Sequence, residues 1–591
     1  MLTTKKIYRK ILIWRYKHIS ERQFVYILSV LVGFLAGLGT FILKDLTFLI
    51  EEALKGDLIK EYHYTLYFIF PILGLFLVYC IKKFVIKRDI GHGISTTLHA
   101  ISRRNGIIKG YKIFASLITA PITVGFGGSA GLQGPAVSSG AALGSNVAQL
   151  FHMNSKTRML LIGCATAGAM SSMFQAPIAA IIFAVEIFSL DLAFASLVPL
   201  LLASVSAVIT SYFFIGTDVL FGFKLVDVFE VKDIPFYIAL AFLTGIASVY
   251  FSKMYFKIIN FFEQFNSPFK KLLIGGVAIG IMLYLIPPLY GEGYGLINNL
   301  LKGNTAAALK DIPYNIDLEN VYVVVVMLLL IAIFKAIAMT TTFAAGGVGG
   351  IFIPTIFMGS ALGNAIAKII NQFGFNVSES NFTLIGMTGL MAGVLHAPLT
   401  AIFLIAEITG GYELFVPLML VSAISFAFTK YFVSNSIYTV ELAKKGQLIT
   451  HNKDKNVLML MRIDKLIERN FKPITPEMTL GEMLKISVAK SKRNIFPVLD
   501  EKKVFLGIVL LDDIRPMMFD QTQYNETYVS DFMKLAPAII FHDDSVEDVM
   551  NKFKESGAWN LPVVEDEKYV GFISKSKLLS VYRNKLIEVT A

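Results

Sequence analysis

The stretch Gly127–Pro135, with the sequence GGSAGLQGP, lies inside a long apolar run from Ile113 to Ser155 that contains no Asp, Glu, Lys or Arg. Glycines and a closing proline are poor residues for a helix interior. In hydrocarbon, non-helical backbone occurs only where it is buried in protein or lines a polar cavity. Pro135 suits the first turn of a following helix, whose free N–H groups would point back at the glycines. The stretch therefore predicts a helix N-terminus aimed into a membrane cavity, which is a binding site for an anion.

The composition indicates an integral membrane protein with room for one further domain. The 591 residues are 55% hydrophobic and only 16% charged, and the mean hydropathy is +0.63. Basic residues dominate before Phe24, where Glu21 is the single acid, which predicts a cytoplasmic N-terminus by the positive-inside rule. The pattern favours neither nucleic-acid binding nor a cleavable signal peptide. Cys80 and Cys164 lie in apolar segments and form neither a disulfide framework nor a metal site.

Apolar runs of span length recur along the first 440 residues. Between them, Gly91–Ser95 reads as a glycine-flanked turn, and Ala336–Ala367 is a second charge-free stretch interrupted by glycines. Past Lys444 the composition changes to a soluble pattern. The predicted spans are Phe24–Leu43, Thr65–Ile81, Leu192–Thr217, Pro235–Ser252, Leu272–Tyr290, a segment starting at Val321, and Leu414–Thr429.

The apolar part contains an internal repeat. Gly346–Pro354 aligns with Gly127–Pro135 at an offset of 219 residues, with glycines and prolines in register. Ala397–Ile408 aligns with Ala176–Ile187 at an offset of 221. Broken, glycine-interrupted segments at corresponding places in two halves of a membrane protein indicate a transport site at the interface between the repeats.

The C-terminal part repeats as well. Asn494–Leu499 and the following Gly507 recur as Asn560–Val564 and Gly571, and each copy follows a helix-patterned stretch. This pattern predicts a tandem of small α/β modules. The predicted divisions are a cytoplasmic basic segment at 1–23, a transmembrane domain at 24–444 (repeats about 24–217 and 235–440), a linker at 445–457, and modules at 458–520 and 528–588.

Three motifs resemble those of the CLC family of chloride channels and chloride/proton antiporters. Gly91–Ser95 resembles the family's Gly-Ser-Gly-Ile-Pro, Gly131–Pro135 resembles Gly-Arg/Lys-Glu-Gly-Pro, and Gly350–Pro354 matches Gly-x-Phe-x-Pro. Tyr438 stands where the family has the tyrosine that closes the inner side of the anion site. The C-terminal modules resemble the tandem CBS (cystathionine-β-synthase-like) domains of many members.

The resemblance implies an all-α polytopic membrane domain of two inverted repeats with broken helices, followed by an α/β tandem CBS domain. It also implies a homodimer in the lipid bilayer, with one chloride pathway per subunit, no cofactor in the transport domain and no enzymatic activity. The implied anion-binding residues are His92, Gly93, Ile351, Phe352 and Tyr438. The implied filter backbone is Gly91, Ile94, Gly131, Gly134, Pro135, Gly350 and Pro354.

Gln133 replaces the family's gating glutamate. A carboxylate at this position competes with chloride and swings out when it is protonated, which supplies gating and proton carriage. Glutamine has nearly the shape of the protonated glutamate but no titrating proton. We expect Gln133 to mimic an open gate; the alternative is a neutral bystander at the start of a helix.

Two more positions depart from the family pattern. Ile187 stands at the antiporters' inner proton-transfer glutamate, and an isoleucine cannot relay a proton. Glu186 has a counterpart in Glu407, which favours a structural role at a helix end over a functional one. His92 replaces a serine; it either donates an N–H to the anion or turns away and leaves binding to backbone amides, so chloride-over-nitrate preference stays open.

The CBS pair keeps half of a nucleotide-binding pattern in each copy. Nucleotide-binding members have Ser or Thr three residues, and Asp six residues, after the glycine. Here Asp513 follows Gly507, and Ser574 follows Gly571. The alternatives are binding of an adenine nucleotide and a purely structural tail that braces the dimer.

Taken together, the sequence predicts transmembrane chloride transport by a passive channel or a proton-uncoupled transporter. One alternative is a chloride/proton antiporter with a non-standard proton route. Another is a non-conducting membrane sensor that signals through the CBS pair. No nucleophile-base pair or metal-ligand set favours an enzyme.

Overall fold

The computed structural model describes most of the chain and divides it into two compact units, 1–445 and 446–591. The described residues are 15, 17–54, 63–88, 90–91, 93–103, 105–188, 194–216, 229–309, 312, 317–410, 412–440, 443, 458, 461 and 463–590. His92 and the predicted linker at 445–457 lie outside the described residues.

The first unit is built from helices alone among its described residues. In chain order they are α1 Glu21–Leu54, α2 His63–Cys80, α3 Gly93–Arg103, α4 Tyr111–Gly125, α5 Gln133–Leu150, α6 Ser155–Phe174, α7 Pro177–Phe188, α8 Phe194–Ile215, α9 Ile234–Glu263, α10 Pro268–Leu285, α11 Tyr294–Leu301, α12 Thr305–Leu309, α13 Val321–Ala344, α14 Phe352–Gln372, α15 Glu379–Leu395, α16 Pro398–Ile408 and α17 Phe415–Phe432. Eight helices in the described part of the chain are long and apolar enough to cross a membrane.

The helices repeat with the offset seen in the sequence. Helices α4 to α8 of the first half have counterparts in α13 to α17 of the second half. In each corresponding pair, either the first residues or the last residues of the two helices are 219 to 221 positions apart. In both halves a helix stops at a glycine-rich break, and the next helix starts within the apolar region. The most buried of the span-length helices is α14. The broken segments of both repeats therefore lie in the interior of the unit rather than on its surface.

The structure corrects several predicted boundaries. Gly93 begins α3, so Gly91–Ser95 is a helix start rather than a turn. The predicted span 272–290 ends at Leu285, because the two prolines at 287 and 288 restrict the preceding residue and remove backbone donors. Helix α9 continues beyond Ser252 to Glu263. The helix that contains the predicted span 65–81 continues as a π-helix over Ile81–Ile86 and ends at Lys87, which has a left-handed backbone.

The second unit contains two small α/β modules. The first has α18 Leu480–Met483, β1 Ile495–Leu499, β2 Phe505–Leu510, α19 Leu511–Ile514 and α20 Val529–Phe532. The second has β3 Ile540–Phe541, α21 Val546–Ser556, β4 Asn560–Glu565, β5 Lys568–Ser574 and α22 Lys575–Thr590. Strands β1 and β2 pair antiparallel, as do β4 and β5, while β3 runs parallel to β4. Each module has an apolar core, but segments near the predicted boundaries pack with the other module. Met461, Ile463 and Leu466 contribute to the core of the second module, and Val529 contributes to that of the first.

Candidate functional site

The two glycine breaks meet at one point. The Gly131 N–H donates to the Gly350 carbonyl at 2.9 Å, and the Gly350 N–H donates to the Gly131 carbonyl at 2.6 Å. Helix α5 begins two residues after Gly131, and α14 begins two residues after Gly350. The pair of reciprocal bonds therefore fixes the starts of two helices, one from each repeat, beside each other.

Only glycine permits this approach. A Cβ on Gly350 would lie 2.6 Å from the Gly134 nitrogen, and a Cβ on Gly134 would lie 2.9 Å from the Gly350 Cα. Both neighbours are backbone atoms, which cannot move aside as a flexible side chain could. The glycines that suggested an anion site in the sequence thus have a direct steric role at the crossing of the repeats.

A second reciprocal pair supports the crossing. The Thr123 hydroxyl accepts from the Val348 N–H at 3.1 Å. The Thr342 hydroxyl, 219 residues further on, accepts from the Ser129 N–H at 3.2 Å. Each repeat therefore satisfies a buried backbone donor in the break of the other, which keeps both breaks rigid without a helical hydrogen bond.

A small cavity of about 40 Å³ lies against this crossing. It exceeds the 10–15 Å³ or so that one water-sized particle needs. Of the predicted site residues, eight line it: Gly91, Gly93, Ile94, Gly134, Pro135, Gly350, Ile351 and Tyr438. The lining does not include Gly131, Gln133, Phe352 or Pro354. The structure thus brings three distant motifs and Tyr438 around one cavity.

The cavity offers hydrogen-bond donors of the kind that an anion needs. Ile351 caps α14, and Phe352 is its first residue, so their N–H groups have no acceptor within the helix. The Tyr438 hydroxyl is buried and has no hydrogen-bond partner among the described residues. Buried hydroxyls are rarely left unpaired in proteins. An anion in the cavity would accept from the lining residues Ile351 and Tyr438 without requiring a fully charged side chain.

The Gln133 side chain is engaged by a loop that the sequence analysis did not single out. Its Nε2 donates to Glu292 Oε1 at 3.2 Å and to the Tyr294 hydroxyl at 3.1 Å. The same Glu292 oxygen accepts the Leu132 N–H at 2.9 Å. A carboxylate therefore sits at the N-terminus of α5, where a negative charge is favourable.

Lys335 is the second functional candidate that the sequence analysis missed. Its side chain is fully buried, and Nζ donates to the carbonyls of Gly291 at 2.8 Å and Leu289 at 3.3 Å. It also lies 4.6 Å from the centre of the Phe357 ring. The signal was present, because Lys335 is the one charged residue in the otherwise apolar helix α13, and charged residues within a membrane default to a functional hypothesis.

Glu186 and Glu407 form a reciprocal pair at helix ends. Glu186 accepts from the N–H groups of Leu399 and Thr400 at 3.1 and 2.8 Å. Glu407 accepts from those of Ile178 and Ala179 at 3.0 and 2.8 Å. Each acid thus satisfies the free donors at the start of the other repeat's helix. Ile187, next to Glu186, is buried and presents only hydrocarbon.

The two predicted nucleotide residues of the second unit have other partners. Lys534 Nζ donates to Asp513 at 2.8 Å, and the Ser574 hydroxyl donates to Glu468. A cavity of about 570 Å³ in this unit is lined by Arg493, Asp512, Trp559 and other residues, but by neither Asp513 nor Ser574. In the described part of the chain, no three His, Cys, Asp or Glu side chains are grouped to hold a metal ion.

Known proteins match both units. Residues 73–430 match the family profile described as Voltage gated chloride channel, and residues 463–519 and 529–584 each match the CBS domain. An H(+)/Cl(-) exchange transporter ClcA from Vibrio cholerae serotype O1 (strain M66-2) is 26% identical over 434 residues, covering 70% of this chain and 88% of the relative. A putative chloride channel protein ClcB-like from Ralstonia nicotianae is 26% identical over 382 residues, covering 63% and 83%.

Solved structures share the fold. A slow cyanobacterial Cl-/H+ antiporter superposes with a TM-score of 0.61 at 19% identity, covering 72% of this chain and 98% of the other. A eukaryotic CLC transporter superposes with a TM-score of 0.60 at 17% identity, covering 94% and 97%.

The fold and the cavity define a multi-pass membrane protein of the inverted-repeat class, with broken helices that meet at a small site lined by hydrogen-bond donors. The chain belongs to the voltage gated chloride channel (CLC) family, and it carries a tandem pair of CBS domains. The predicted family and fold class are thereby confirmed.

Proposed function

We propose that this chain conducts chloride passively, as a homodimer with one pathway per subunit, and does not couple chloride to protons. The main observation behind the proposal is the glutamine at position 133. It occupies the start of α5 beside the cavity, where antiporters of the family have their gating glutamate. A glutamine amide does not titrate in the physiological range, so this position cannot take up and release a proton.

Ile187 supports the same proposal. It stands at the position of the antiporters' inner proton-transfer glutamate, and it is buried. A hydrocarbon side chain neither binds a proton nor hydrogen-bonds a water that could. Both side chains that carry protons in the antiporters are therefore replaced by side chains that cannot.

Glu292 favours one competing function, a chloride/proton antiporter with a non-standard proton route. Its carboxylate lies 3.2 Å from the Gln133 amide. If Glu292 carried the proton instead of residue 133, coupling would persist in spite of the glutamine. The two functions differ in a measurable quantity, the number of protons moved per chloride.

The deciding experiment uses the purified full chain in liposomes loaded with chloride. We expect chloride efflux when a potassium ionophore balances the charge, and no proton uptake against the chloride gradient. Absence of chloride efflux would contradict anion transport, and proton uptake in fixed ratio to chloride would contradict the uncoupled function. In the variant Gln133→Glu we expect chloride efflux to become pH-dependent, rising as the new carboxyl is protonated.

The remaining assignments follow from charge and composition. We infer that the N-terminus and the CBS pair are cytoplasmic, because the basic residues before α1 follow the positive-inside rule.

We infer further that the CBS pair is a structural tail, because Ser574 and Asp513 are engaged by Glu468 and Lys534. If so, adenine nucleotides are expected to leave the Tm of the chain unchanged. A saturable rise in Tm with ATP or AMP would indicate nucleotide binding instead.

A further inference from the structure

The loop between α10 and α11 places an acid and a phenol against the gate side chain. Glu292 and Tyr294 both lie within hydrogen-bond distance of Gln133 Nε2, at 3.2 and 3.1 Å. Gln133 itself is buried, with 1% of its surface exposed, and its Oε1 has no partner among the described residues. The amide nitrogen is therefore held by two hydrogen bonds, whereas the amide oxygen has none among the described residues.

The loop that carries Glu292 is rigid. Gly291 and Gly293 on either side have φ of 55° and 85°, and a Cβ on Gly293 would lie 2.5 Å from the Phe357 ring. The two Lys335 hydrogen bonds to the carbonyls of Leu289 and Gly291 anchor the loop to α13. The acid is thus positioned by backbone geometry and a buried cation rather than by a flexible side chain alone.

The charged groups around Glu292 come from two helices, α1 and α13. Lys44 of α1 and Lys335 of α13 are close enough to attract its carboxylate, and Glu51 of α1 repels it. Tyr294 faces the same oxygen at 3.5 Å. The Oε1 atom of Glu292 accepts hydrogen bonds from the Leu132 N–H at 2.9 Å and from the Gln133 amide at 3.2 Å.

The Gln133 side chain is not part of the cavity lining. Gly134 and Pro135, the next residues along the chain, line the cavity, whereas Gln133, Glu292 and Tyr294 do not. A glutamine side chain starting beside Gly134 is long enough to turn towards the cavity if nothing holds it. We propose that Glu292 and Tyr294 act as a clamp that holds the Gln133 amide off the anion cavity and so keeps the pathway open, with Glu292 as a positioning residue.

The clamp also explains why a glutamine suits position 133. A glutamate there would bring a second carboxylate to within about 3 Å of Glu292, and like charges at such a distance cannot both stay ionised without a large penalty. Gln133 donates where a glutamate would repel. The pair Gln133 and Glu292 is therefore complementary, and exchanging one member alone breaks it.

The inference rests on the proposed passive chloride conduction, and the experiment separates the two. Chloride efflux is measured for the unaltered chain, Glu292→Ala, Gln133→Ala and the double variant. We expect Glu292→Ala to lower efflux about tenfold, because it removes a hydrogen bond that holds the Gln133 amide, and such a bond changes an equilibrium constant by up to about that factor. In the Gln133→Ala background, where no amide can enter the cavity, Glu292→Ala is expected to have little effect.

A loss of efflux of equal size in both backgrounds would overturn the clamp, since it would show that Glu292 acts only on the structure. The exchange Gln133→Glu with Glu292→Gln keeps donor and acceptor facing each other, and we expect it to restore efflux relative to Gln133→Glu alone at neutral pH. Failure of this exchange to rescue would also count against the clamp.

A readout independent of transport completes the test. Thermal unfolding of the same four proteins in detergent gives the coupling between residues 133 and 292, which the clamp requires to be favourable. Additive changes in Tm would overturn the clamp even if efflux is absent. Absence of efflux from the unaltered chain, with coupling intact, would overturn the proposed conduction and leave the contact between the two residues demonstrated.

Discussion

Gln133 differs from a glutamate by one amide group, and that group makes the contacts that define its surroundings. Its nitrogen donates to Glu292 and Tyr294, which a carboxylate oxygen could not do towards an ionised Glu292. The identity of the residue was readable in the sequence, and with it the loss of a titrating proton. The partners were not readable, because Glu292 lies 159 residues away along the chain.

At the residue scale, Tyr438 gives a direct test of the anion site. Its buried hydroxyl borders the cavity and has no described partner. In Tyr438→Phe we expect chloride affinity to fall about tenfold, since a hydrogen bond to a charged group contributes about 1.5–3 kcal/mol. Isothermal titration of chloride into the purified protein measures this change.

The matched control for that variant is Tyr250→Phe. The Tyr250 hydroxyl donates to the Ile333 carbonyl at 3.1 Å and is not part of the cavity lining. We expect its chloride affinity to equal that of the unaltered chain. An unchanged affinity in Tyr438→Phe would remove this hydroxyl from the anion site.

At the scale of elements, the helices of one repeat are capped by acids of the other. Glu407 serves the N-terminus of α7, and Glu186 serves that of α16. The sequence showed two acids in matching positions, and this symmetry already favoured a structural role over a catalytic one. Which helix each acid would cap depends on how the repeats interlock, which is a tertiary property.

Glu407→Ala tests the reciprocal caps. Removing it leaves the N–H groups of Ile178 and Ala179 without their acceptor, and we expect a loss of about 1–3 kcal/mol in the free energy of unfolding. Thermal unfolding in detergent measures the loss. Glu413→Ala, on an exposed side chain nearby, is the control and should change the stability by less than about 0.5 kcal/mol. Equal effects of the two variants would show that the caps contribute nothing.

Helix α21 in the second CBS module gives a pH-dependent test. Its capping box pairs Ser545 with Asp548, and the hydrogen bonds from the Ser545 hydroxyl and N–H hold the pKa of the Asp548 carboxyl below its ordinary value. A carboxyl with a lowered pKa in the folded state stabilises the fold above its unfolded pKa of about 3.9. This contribution is lost as the pH falls through the lower, folded pKa.

We therefore expect Asp548→Asn to destabilise the module at pH 7 and to have little effect in the most acidic buffers. Denaturant unfolding followed by the fluorescence of Trp559, which lies three residues beyond α21, reports on this module once Trp14 is replaced by Phe. Asp543→Asn, on an exposed side chain just before the helix, serves as the control. A destabilisation of the same size at all pH values would contradict the assignment to the ionised cap.

At the scale of the whole membrane unit, the two repeats are joined through contacts that only glycine allows. We expect Gly350→Ala to reduce both folded yield and chloride efflux severely, because its Cβ would lie 2.6 Å from the Gly134 nitrogen. Size-exclusion chromatography and liposome efflux measure the two effects. Gly295→Ala is the matched control, since a Cβ there meets nothing within 4 Å. A folded, fully active Gly350→Ala protein would show that the crossing can widen without loss.

The sequence by itself indicated the class of fold and singled out eight of the residues that line the cavity. Glycine breaks within charge-free runs have few solutions in a membrane, since unsatisfied backbone must be buried in protein or face a polar cavity. The repeat then required a second break to match the first. Local rules of this kind act within a few residues of the chain, so they could be read without a structure.

The tertiary structure alone decided the surroundings of Gln133. Glu292 and Tyr294 are brought to Gln133 by the loop before α11 and the start of that helix, and neither approach leaves a local pattern in the sequence. Lys335 of α13 hydrogen-bonds the same loop at Gly291. Gln133 does not line the cavity, and the proposed clamp assigns this to the same contacts. The physical reason is that a side chain's direction is set by the partners it finds, and here those partners come from distant parts of the chain.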